Sequence, residues 1–506
     1  MKLFRAEDIR NIEQTAAGGG LTLEEMMQNA GEAAADFIRE KIEVSGRKIL
    51  ILCGKGNNGG DGCVCAESLA RSGAGVSVLL THGLPSSKLA KDAFDRMSSK
   101  VRVIHFEKTD DGLMSFISHQ DVIIDAVFGF SFHGDITSPT AELIEFMNRL
   151  SSPLKVSIDL PSGVVCDDAY VGCCAFKADY TVTFSAEKPA FFLHPGKQYC
   201  GAVRVASVGI QQQIIDDYKT NISLLGDEDF RSFLPYRDPL SNKGSFGRLL
   251  MICGSYGMAG ACIMAARAAL RSGLGLLNIA VPDELYRIIA PSVPEAVFTI
   301  LGDSDDSLLR ELNRSTAVVC GCGLGNRAGR FVELLLGNSK APVVFDADAL
   351  NYIAENPEML LKAQSDIVIT PHPGEMSRLC GKSIRNVQAS RILTAQDFSA
   401  KYNVITVLKG SGTVISSPSG VISLNSTGNS GMSKGGSGDV LAGMLGSLAA
   451  QKLDLYRSSC AAVYFHGMAG DMAESDLSQT SMLPTDLISY LPKVFGKFER
   501  TLKERS

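Results

Sequence analysis

The chain has 506 residues, of which 45% are hydrophobic and 21% charged, with a formal net charge of −6 and a pI near 5.8. This length is too great for one compact core and predicts two or three domains. The acidic balance argues against a broad nucleic-acid-binding face, and no stretch is long and apolar enough to span a bilayer.

The opening residues, "MKLFRAEDIR", lack the apolar core of a signal peptide. Thirteen cysteines are scattered along the chain without a C-x-x-C pair, which is typical of buried thiols in a reducing compartment. We therefore expect a cytoplasmic protein that binds neither nucleic acid nor a membrane.

Two stretches of the chain share one order of elements. Residues 48–80 and residues 247–281 each read as a strand, a glycine-rich loop, a helix and a second strand. Two such openings predict two α/β domains with parallel sheets. The segment between them is polar and weakly patterned, which places the junction near residues 211–221. We expect one domain at 1–212 and another at 222–506.

We expect the N-terminal half to begin with a helix after Thr22. Thr22 and Glu25 fit a capping box. The apolar residues that follow recur at helical spacing, namely Leu23, Met26, Met27, Ala30, Ala34 and Phe37.

The first glycine loop, residues 54–59, superficially matches the G-x-G-x-x-G dinucleotide fingerprint. That fingerprint also needs an acid at the end of the second strand, where it holds a ribose hydroxyl. The second strand ends instead in Thr81 and His82. A redox NAD site of the usual kind is therefore not expected.

Polar residues follow three predicted strands of this half. The loop contains "NNGGD", Asn57–Asp61, and two later strands end at Asp125 and Asp159. In an open α/β sheet, ligands bind at the carboxyl ends of strands, so these segments can converge on one crevice. With Asn58 and Ser162, the acids offer oxygen ligands for a cation and candidates for proton transfer. The alternative is that each acid merely caps the loop after it.

Four strings of this half, "GKGNNGGDG", "DAVFG", "SIDLPSG" and "TVTFSAEKPAFFLHPG", jointly resemble the NAD(P)H-hydrate epimerase domain. The resemblance covers most of residues 1–210 and implies a Rossmann-like three-layer αβα sandwich. It implies a potassium ion held by Asn58, Asp125 and Ser162, and we expect Asp159 to handle protons. The substrate contacts that it implies are Asn57, Asn58, Gly59, Gly60, Asp61, Gly129, Phe130, Ser131, Phe132, His133, Gly134, Asp135 and Asp159.

Strand-like segments of the C-terminal half also end on polar residues: "TAVVCGCGLG", "PVVFDADAL", "DIVITPHPGE" and "NVITVLKGSGTVISS". His372 lies between two prolines, in a rigid loop that favours a binding role over a structural one. Lys409 begins a glycine loop suited to nucleotide phosphates, although the P-loop pattern is absent.

The segment "NSGMSKGGSGDVLAG", residues 429–443, concentrates glycine just before an apolar run. The apolar residues of Val440–Leu445 recur at helical spacing, which places Gly435–Gly438 at a helix N-terminus. Free N–H groups and the helix dipole make such a terminus a natural phosphate site, with Asp439 in the first turn. The alternative is a flexible loop in which Asp439 is an ordinary first-turn acid.

The G-x-G-D motif at Gly436–Asp439 resembles the ribokinase-like superfamily. With "TPHPGE" and "KGSGT", the chain resembles the ADP/ATP-dependent NAD(P)H-hydrate dehydratases over about residues 240–500. The resemblance implies a ribokinase-like αβα sandwich that uses ADP or ATP with Mg²⁺, and a substrate facing Ala261, Gly323, His372 and Asp439. The residues that it implies for the nucleotide are Lys409, Gly410, Ser411, Gly412, Thr413, Asn429, Ser430, Gly431, Met432, Ser433, Lys434, Gly435, Gly436, Ser437 and Gly438.

Both resemblances point to repair of hydrated NADH and NADPH (NADHX and NADPHX). The first half would interconvert the R and S hydrates. The second would dehydrate the S hydrate at the expense of ADP or ATP, giving NAD(P)H, phosphate and AMP or ADP. In that chemistry, phosphorylation turns a poor hydroxide leaving group into a good one, and Asp439 is the expected general base. We also expect a homo-oligomer.

Two alternatives stay open from the sequence. One is a small-molecule kinase for a vitamin precursor fused to a nucleotide-binding domain, because such kinases share G-x-G-D. The other is a non-enzymatic module, because epimerase-like domains also occur in RNA-associated assemblies. The acidic pI and the intact glycine loops count against the second alternative.

Overall fold

Each of the two predicted strand–loop–helix units lies in a separate, wholly or mainly parallel sheet in this computed structural model, which describes residues 1–302 and 304–503. The chain divides into two compact units, residues 2–220 and the residues from Asn221 onward. The last three residues of the expected second domain, 504–506, lie outside the described residues. Helices and strands alternate in both units, which confirms the predicted α/β class.

The first unit contains eight strands and eight α-helices among its residues. The strands are β1 (Lys2–Leu3), β2 (Lys48–Cys53), β3 (Gly75–Leu80), β4 (Arg102–His105), β5 (Val122–Ala126), β6 (Leu154–Ile158), β7 (Tyr180–Phe184) and β8 (Ala202–Ala206). The helices are α1 (Ala6–Gly18), α2 (Leu23–Lys41), α3 (Asn57–Arg71), α4 (Lys88–Arg96), α5 (Asp111–Ser118), α6 (Thr140–Arg149), α7 (Lys197–Cys200) and α8 (Gln212–Asp217).

The sheet of the first unit has the strand order β4-β3-β2-β5-β6-β7-β8, and all its pairings are parallel. Its central strands are nearly continuous apolar runs because helices cover both faces, as in "KILILC" of β2. Strands β2, β5 and β6 are neighbours. The loops that follow them therefore open side by side at one edge of the sheet.

The N-terminal half does not begin with the helix at Thr22, because α1 precedes it. Helix α2 itself is as expected: Thr22 is its N-cap, and the reciprocal hydrogen bonds with Glu25 form. The expectation that α2 is the first helix was wrong. Helix α1 forms before it because Ile9 and Ile12 can be buried together on one of its faces.

The second unit contains ten strands and twelve α-helices within its described part. The strands are β9 (Ile222–Leu224), β10 (Arg248–Ile252), β11 (Leu276–Val281), β12 (Val297–Ile300), β13 (Ala317–Cys320), β14 (Val343–Phe345), β15 (Ile367–Ile369), β16 (Ile405–Leu408), β17 (Thr413–Ser416) and β18 (Ile422–Asn425). The helices are α9 (Asp227–Phe230), α10 (Ala259–Arg271), α11 (Asp283–Ile289), α12 (Asp306–Leu312), α13 (Ala328–Asn338), α14 (Asp348–Ile353), α15 (Pro373–Cys380), α16 (Ile384–Ala389), α17 (Arg391–Tyr402), α18 (Ser437–Ala450), α19 (Leu455–Leu477) and α20 (Pro484–Lys503).

Strands β12-β11-β10-β13-β14-β15-β16 of this unit lie in that order and are parallel. Strands β17 and β18 continue the sheet with antiparallel pairings. The segment "NVITVLKGSGTVISS", in which a glycine loop was predicted to begin at Lys409, forms a hairpin: β16 and β17 flank the turn at 409–412. The turn lies at the carboxyl end of β16, beside the loops that follow β14 and β15.

Helix α18 is buried along most of its length and packs closely on α10. Gly443 permits the contact, because a Cβ atom there would lie 2.0 Å from the carbonyl oxygen of Ala265. Asp439 lies one helical turn before Gly443. The packing of two helices therefore sets the position of this carboxylate.

Two further expectations concern the whole chain. All thirteen cysteines are free thiols, and eleven of them are buried. Over residues 1–302 and 304–503, none of the helices combines the length and the apolar character that a membrane crossing needs.

Candidate active sites

A cavity of ≈ 460 Å³ opens in the first unit at the carboxyl ends of β2, β5 and β6. Apolar side chains of α1 and α2, among them Ile9 and Met26, form part of its wall. The predicted site residues that line it are Asn57, Asn58, Asp61, Gly129, Phe130, Ser131, Phe132 and Asp159. The structure thus brings the three predicted strand-end loops together.

Five predicted contact residues lie outside the lining of this cavity: Gly59, Gly60, His133, Gly134 and Asp135. Gly59 and Gly60 serve close packing, since a Cβ atom on Gly59 would lie 1.9 Å from the carbonyl oxygen of Gly54. His133 and Asp135 are exposed, and Asp135 accepts a hydrogen bond from the Tyr170 hydroxyl.

Of the three residues predicted to hold a cation, Asp125 and Ser162 are hydrogen-bonded to each other, and Asn58 lines the cavity. The buried Asp125 carboxylate accepts hydrogen bonds from the Ser162 amide and hydroxyl and from the Ser157 hydroxyl. Burial raises the pKa of Asp125, and the hydrogen bonds from Ser162 oppose that shift. Both polar atoms of the Asn58 amide are buried and have no hydrogen-bond partner in the described structure. A buried amide oxygen without a hydrogen-bond partner suits a cation.

Asp159 follows β6 in the left-handed region, with φ of +69°. Its carboxylate accepts hydrogen bonds from the Phe130 amide at 2.7 Å and the Thr183 hydroxyl at 3.3 Å. The ammonium of Lys188 lies 3.1 Å away, and both side chains are almost fully buried. Asp159 is therefore a fixed anion with a buried counter-charge.

Sequence reasoning missed Glu13 and Lys188 in this site. Glu13 lines the cavity from α1, and burial, with the nearby charge of Asp159, raises its pKa to about 7. Burial also raises the pKa of Asp61 well above its usual range, and the charges of Asp159 and Glu13 add to the shift. The helical spacing of Ile9 and Ile12 was the signal that could have revealed α1 and hence Glu13.

In the second unit, Asp439 lies in the first turn of α18, as predicted. The N-cap is Gly436, whose φ of +108° is a left-handed value that glycine adopts without strain. The space beside it is filled by Met264, 2.6 Å from where a Cβ atom would lie. The tight glycine turn thus starts the helix directly before Asp439.

A second acid, Asp346, joins Asp439 from the end of β14. The Lys409 ammonium lies 2.7 Å from Asp346 and 3.9 Å from Glu375. Burial lowers the pKa of Lys409, but these two carboxylates outweigh it and raise the pKa overall. Lys409 also lies 3.3 Å from the Cβ position of Gly438. The Lys409 ammonium therefore lies next to the glycine turn that starts α18.

The Asp439 carboxylate is surrounded by groups that adjust its proton affinity. Burial and the charge of Asp346 raise its pKa to about 6, while a hydrogen bond with the Cys322 thiol and the charge of Lys409 lower it. Ligand atoms of Cys322, Asp346 and Asp439 all lie within 4.8 Å of one another. At neutral pH, Asp439 is ionised and close to the range suited to a general base.

The turn at 409–412 is braced from behind by Arg391, whose side chain is buried. Its guanidinium donates to the carbonyl oxygens of Leu408, Lys409 and Gly412. The predicted nucleotide residues Lys409, Gly410, Ser411, Gly412 and Thr413 thus form one braced hairpin turn.

The other predicted nucleotide segment, residues 429–438, is held at its start and near its middle. Asp471 accepts hydrogen bonds from the Gly428 amide and the Asn429 side chain. The Lys434 ammonium donates to the carbonyl oxygens of Thr480 and Met482. The ammonium of Lys434 therefore serves to hold the loop.

The predicted substrate residues Ala261, Gly323 and His372 fall into two groups. Ala261 and Gly323 touch, since a Cβ atom on Gly323 would lie 3.1 Å from that of Ala261. His372 is the N-cap of α15, and its Nδ1 accepts from the amides of Gly374 and Glu375. Burial and the charge of Lys409 lower its pKa, so His372 is neutral at pH 7.

Sequence reasoning did not single out Asp346, Glu375 or Cys322 in this site. Burial raises the pKa of Glu375 to about 7, with Lys409 opposing the shift. The string "PVVFDADAL" already ended on an acid at a strand terminus, which was the available signal for Asp346. No local pattern marks Cys322, because its contact with Asp439 joins segments more than 100 residues apart.

Comparison with known proteins decides the family. A protein of Moorella thermoacetica named bifunctional NAD(P)H-hydrate repair enzyme Nnr is 35% identical over 501 residues, covering 94% of this chain and 93% of that protein. The chain belongs to the family of bifunctional NAD(P)H-hydrate repair enzymes. The Escherichia coli member, at 34% identity, covers 97% of this chain and 93% of its own length. The predicted resemblance is confirmed.

Family models match both halves of this repair-enzyme chain. A model described as NAD(P)H-hydrate dehydratase matches residues 249–493, and one described as YjeF-related protein N-terminus matches residues 23–190. The ADP/ATP-dependent NAD(P)H-hydrate dehydratase of Bacillus subtilis, co-crystallized with ATP/Mg²⁺, is 33% identical with a TM-score of 0.50. It covers 56% of this chain and 100% of that one, which confirms the predicted fold of the second unit.

Proposed function

We propose that the protein repairs hydrated NADH and NADPH, with an epimerase domain at 1–212 and a dehydratase domain at 222–506. Membership of the repair-enzyme family over nearly the full length supports this function. It disfavours a vitamin-precursor kinase, whose relatives would match the second half alone. A cytoplasmic location, a homo-oligomer and the lack of nucleic-acid binding stay predictions.

The observation that carries the dehydratase assignment is the meeting of Asp439, Lys409 and the glycine turn at one point. Amide N–H groups at the start of α18 and the Lys409 ammonium offer positive charge to a transferred phosphoryl group. Asp439 offers a base beside it. A kinase-type transfer needs these two features next to each other.

In this proposal, Asp439 removes the proton of the substrate hydroxyl while that oxygen attacks the terminal phosphoryl group of ADP or ATP. The phosphorylated oxygen then leaves as phosphate, driven by the lone pair of the adjacent ring nitrogen. Loss of a proton from the neighbouring carbon restores NAD(P)H. The Asp346 carboxylate, within 4.8 Å of that of Asp439, would help to hold a Mg²⁺ ion, which would neutralise phosphate charge when bound. Substrate contacts at Ala261, Gly323 and His372 belong to the same proposal.

For the epimerase domain, the proposal places the substrate in the cavity after β2, β5 and β6. The unpartnered Asn58 amide, with Asp125 and Ser162, would hold a potassium ion. That ion would fix the arrangement of the loops around the substrate, without redox chemistry. The dehydratase is expected to accept one epimer, so the epimerase would supply it from the other.

The function is tested with a mixture of the hydrated NADH epimers, Mg²⁺ and either ADP or ATP. We expect the NADH absorbance to return until both epimers are consumed, with release of one phosphate for each NADH. Comparing the two nucleotides identifies the preferred donor. A stable phosphorylated vitamin precursor without NADH recovery would instead support the kinase alternative.

Potassium binding is tested by epimer interconversion without nucleotide, as a function of K⁺ concentration in choline buffer. Asn58→Ala removes the unpartnered amide, so we expect the K⁺ concentration for half-maximal rate to rise by about 10–100-fold. The matched control is Asn148→Ala, because the Asn148 amide is already bonded to Ala175 and Lys177. Equal wild-type rates in potassium and choline would contradict the proposal.

A further inference from the structure

Three carboxyl groups line the cavity of the first unit, and they differ in what surrounds them. Asp159 accepts two hydrogen bonds and an ion pair. Within residues 1–302 and 304–503, the carboxyl groups of Glu13 and Asp61 make no hydrogen bond and no ion pair. The cavity therefore contains one anchored carboxylate and two that are free to exchange protons.

The partners of Asp159 hold its carboxylate in one position. The Phe130 amide and the Thr183 hydroxyl occupy its oxygen atoms, and the Lys188 ammonium compensates its charge. Asp159 suits the task of stabilising positive charge in a bound substrate.

Glu13 has the opposite environment. It reaches the cavity from α1, beside the apolar side chains of Ile9 and Met26. The charged groups that face it are Asp159, Asp61, Lys188, Arg10 and Lys55. Burial and Asp159 raise its pKa to about 7, against Lys188 and Arg10. Near neutral pH both protonation states of Glu13 are populated, which a group that gives and regains a proton requires.

We propose that Glu13 is the catalytic acid and base of epimerisation, an assignment that rests on the proposed epimerase function. The protonated carboxyl gives its proton to the hydroxyl oxygen of the hydrate as the carbon–oxygen bond breaks. The ring nitrogen supplies the electron pair, so the products are water, a cationic ring and the Glu13 carboxylate. Water then adds to the carbon, and Glu13 takes back one proton. Addition to the opposite face gives the other epimer.

This assignment gives Asp159 and Glu13, two of the three cavity acids, separate tasks. Asp159, with its fixed negative charge, stabilises the cationic ring between loss and return of water. Glu13 moves the proton. The apolar wall limits the access of bulk water to the intermediate.

The test uses the full chain without nucleotide, so that only epimer interconversion proceeds from a single purified epimer. The Glu13→Gln variant keeps size and polarity but cannot exchange the proton, so we expect the catalysed rate to fall by about 10²–10⁴-fold. Glu13→Asp, which keeps the carboxyl, should recover part of the loss. The matched control is Glu7→Gln, an exposed acid on the same helix, which should keep the wild-type rate.

A pH profile separates a chemical role from a structural one. The reaction starts from the protonated acid, so the wild-type rate should fall as the pH rises through about 7. The residual activity of Glu13→Gln should lack this decrease. The assignment would be overturned if Glu13→Gln kept the wild-type rate, or if its rate fell with rising pH as the wild-type rate does. It would also be overturned if Asp61→Asn lost activity while Glu13→Gln kept it. If the wild type does not accelerate interconversion, the proposed epimerase function itself fails.

Discussion

The Asp439→Asn variant is expected to lose dehydratase turnover by about 10²-fold or more, because the substitution removes the general base. The amide keeps the size of the side chain and much of its hydrogen bonding. The N–H groups of the glycine turn and the Lys409 ammonium remain, so the affinity for ADP or ATP should change little. Turnover is measured as return of NADH absorbance at saturating nucleotide.

The pH dependence of turnover provides a second readout of the same residue. Burial, with the charge of Asp346, raises the pKa of Asp439 to about 6. The base form is therefore present above this pH, and wild-type turnover should decline as the pH falls through about 6. The matched control is Asp454→Asn, which alters the acid that caps α19. Near-wild-type turnover in Asp439→Asn would mean that Asp439 only supports the start of α18.

The second large effect is expected from Lys188→Met, which leaves the Asp159 carboxylate buried without its counter-charge. Breaking a buried ion pair by removing one partner typically lowers the free energy of unfolding by about 3–5 kcal/mol. For a unit of this size, that corresponds to a decrease of about 6–20 °C in the midpoint of its thermal transition. Calorimetry of the full chain measures it. Epimer interconversion should fall as well, because Asp159 loses its position.

The control for Lys188→Met is Arg47→Met. Arg47 and Asp121 form an ion pair of the same 3.1 Å length, but both side chains are exposed. Exposed pairs contribute about 0–1 kcal/mol, so the transition should shift little. The double variant Lys188→Met/Asp159→Asn removes both charges and should regain part of the lost stability. Equal shifts in the two single variants would show that burial of the Lys188 pair has no special effect.

Local patterns predicted those parts of the fold that depend on neighbouring residues. The capping box of Thr22 and Glu25 and the first-turn position of Asp439 are of this kind. The glycine loop after β16 was predicted, but the antiparallel pairing of β17 was not, because periodicity does not show the direction in which the chain continues. Helix α1 was missed although Ile9 and Ile12 have helical spacing.

The candidate sites were predictable in their loops but not in their charge pairs. Strand-end acids such as Asp159 stand out because parallel strands end at one edge of a sheet. Their partners do not stand out: Lys188 follows Asp159 by 29 residues, and its contact exists only once β6 and β7 pair. The proton affinity of Asp439 likewise depends on burial and on Asp346, which are properties of the folded chain.

The contact of α18 with α10 affects how precisely the Asp439 carboxylate is positioned. At Gly443 the backbones of the two helices are in van der Waals contact, so α18 cannot move closer to α10. This contact lies one turn from the Asp439 carboxylate. A side chain at Gly443 would force the helices apart and move the N-terminus of α18 with them. A misplacement of about 1 Å can cost 10²-fold in rate, so a residue that never meets a ligand would control the alignment of the base. The space between α18 and α10 therefore restricts which residues can stand at position 443, although that position takes no part in the chemistry.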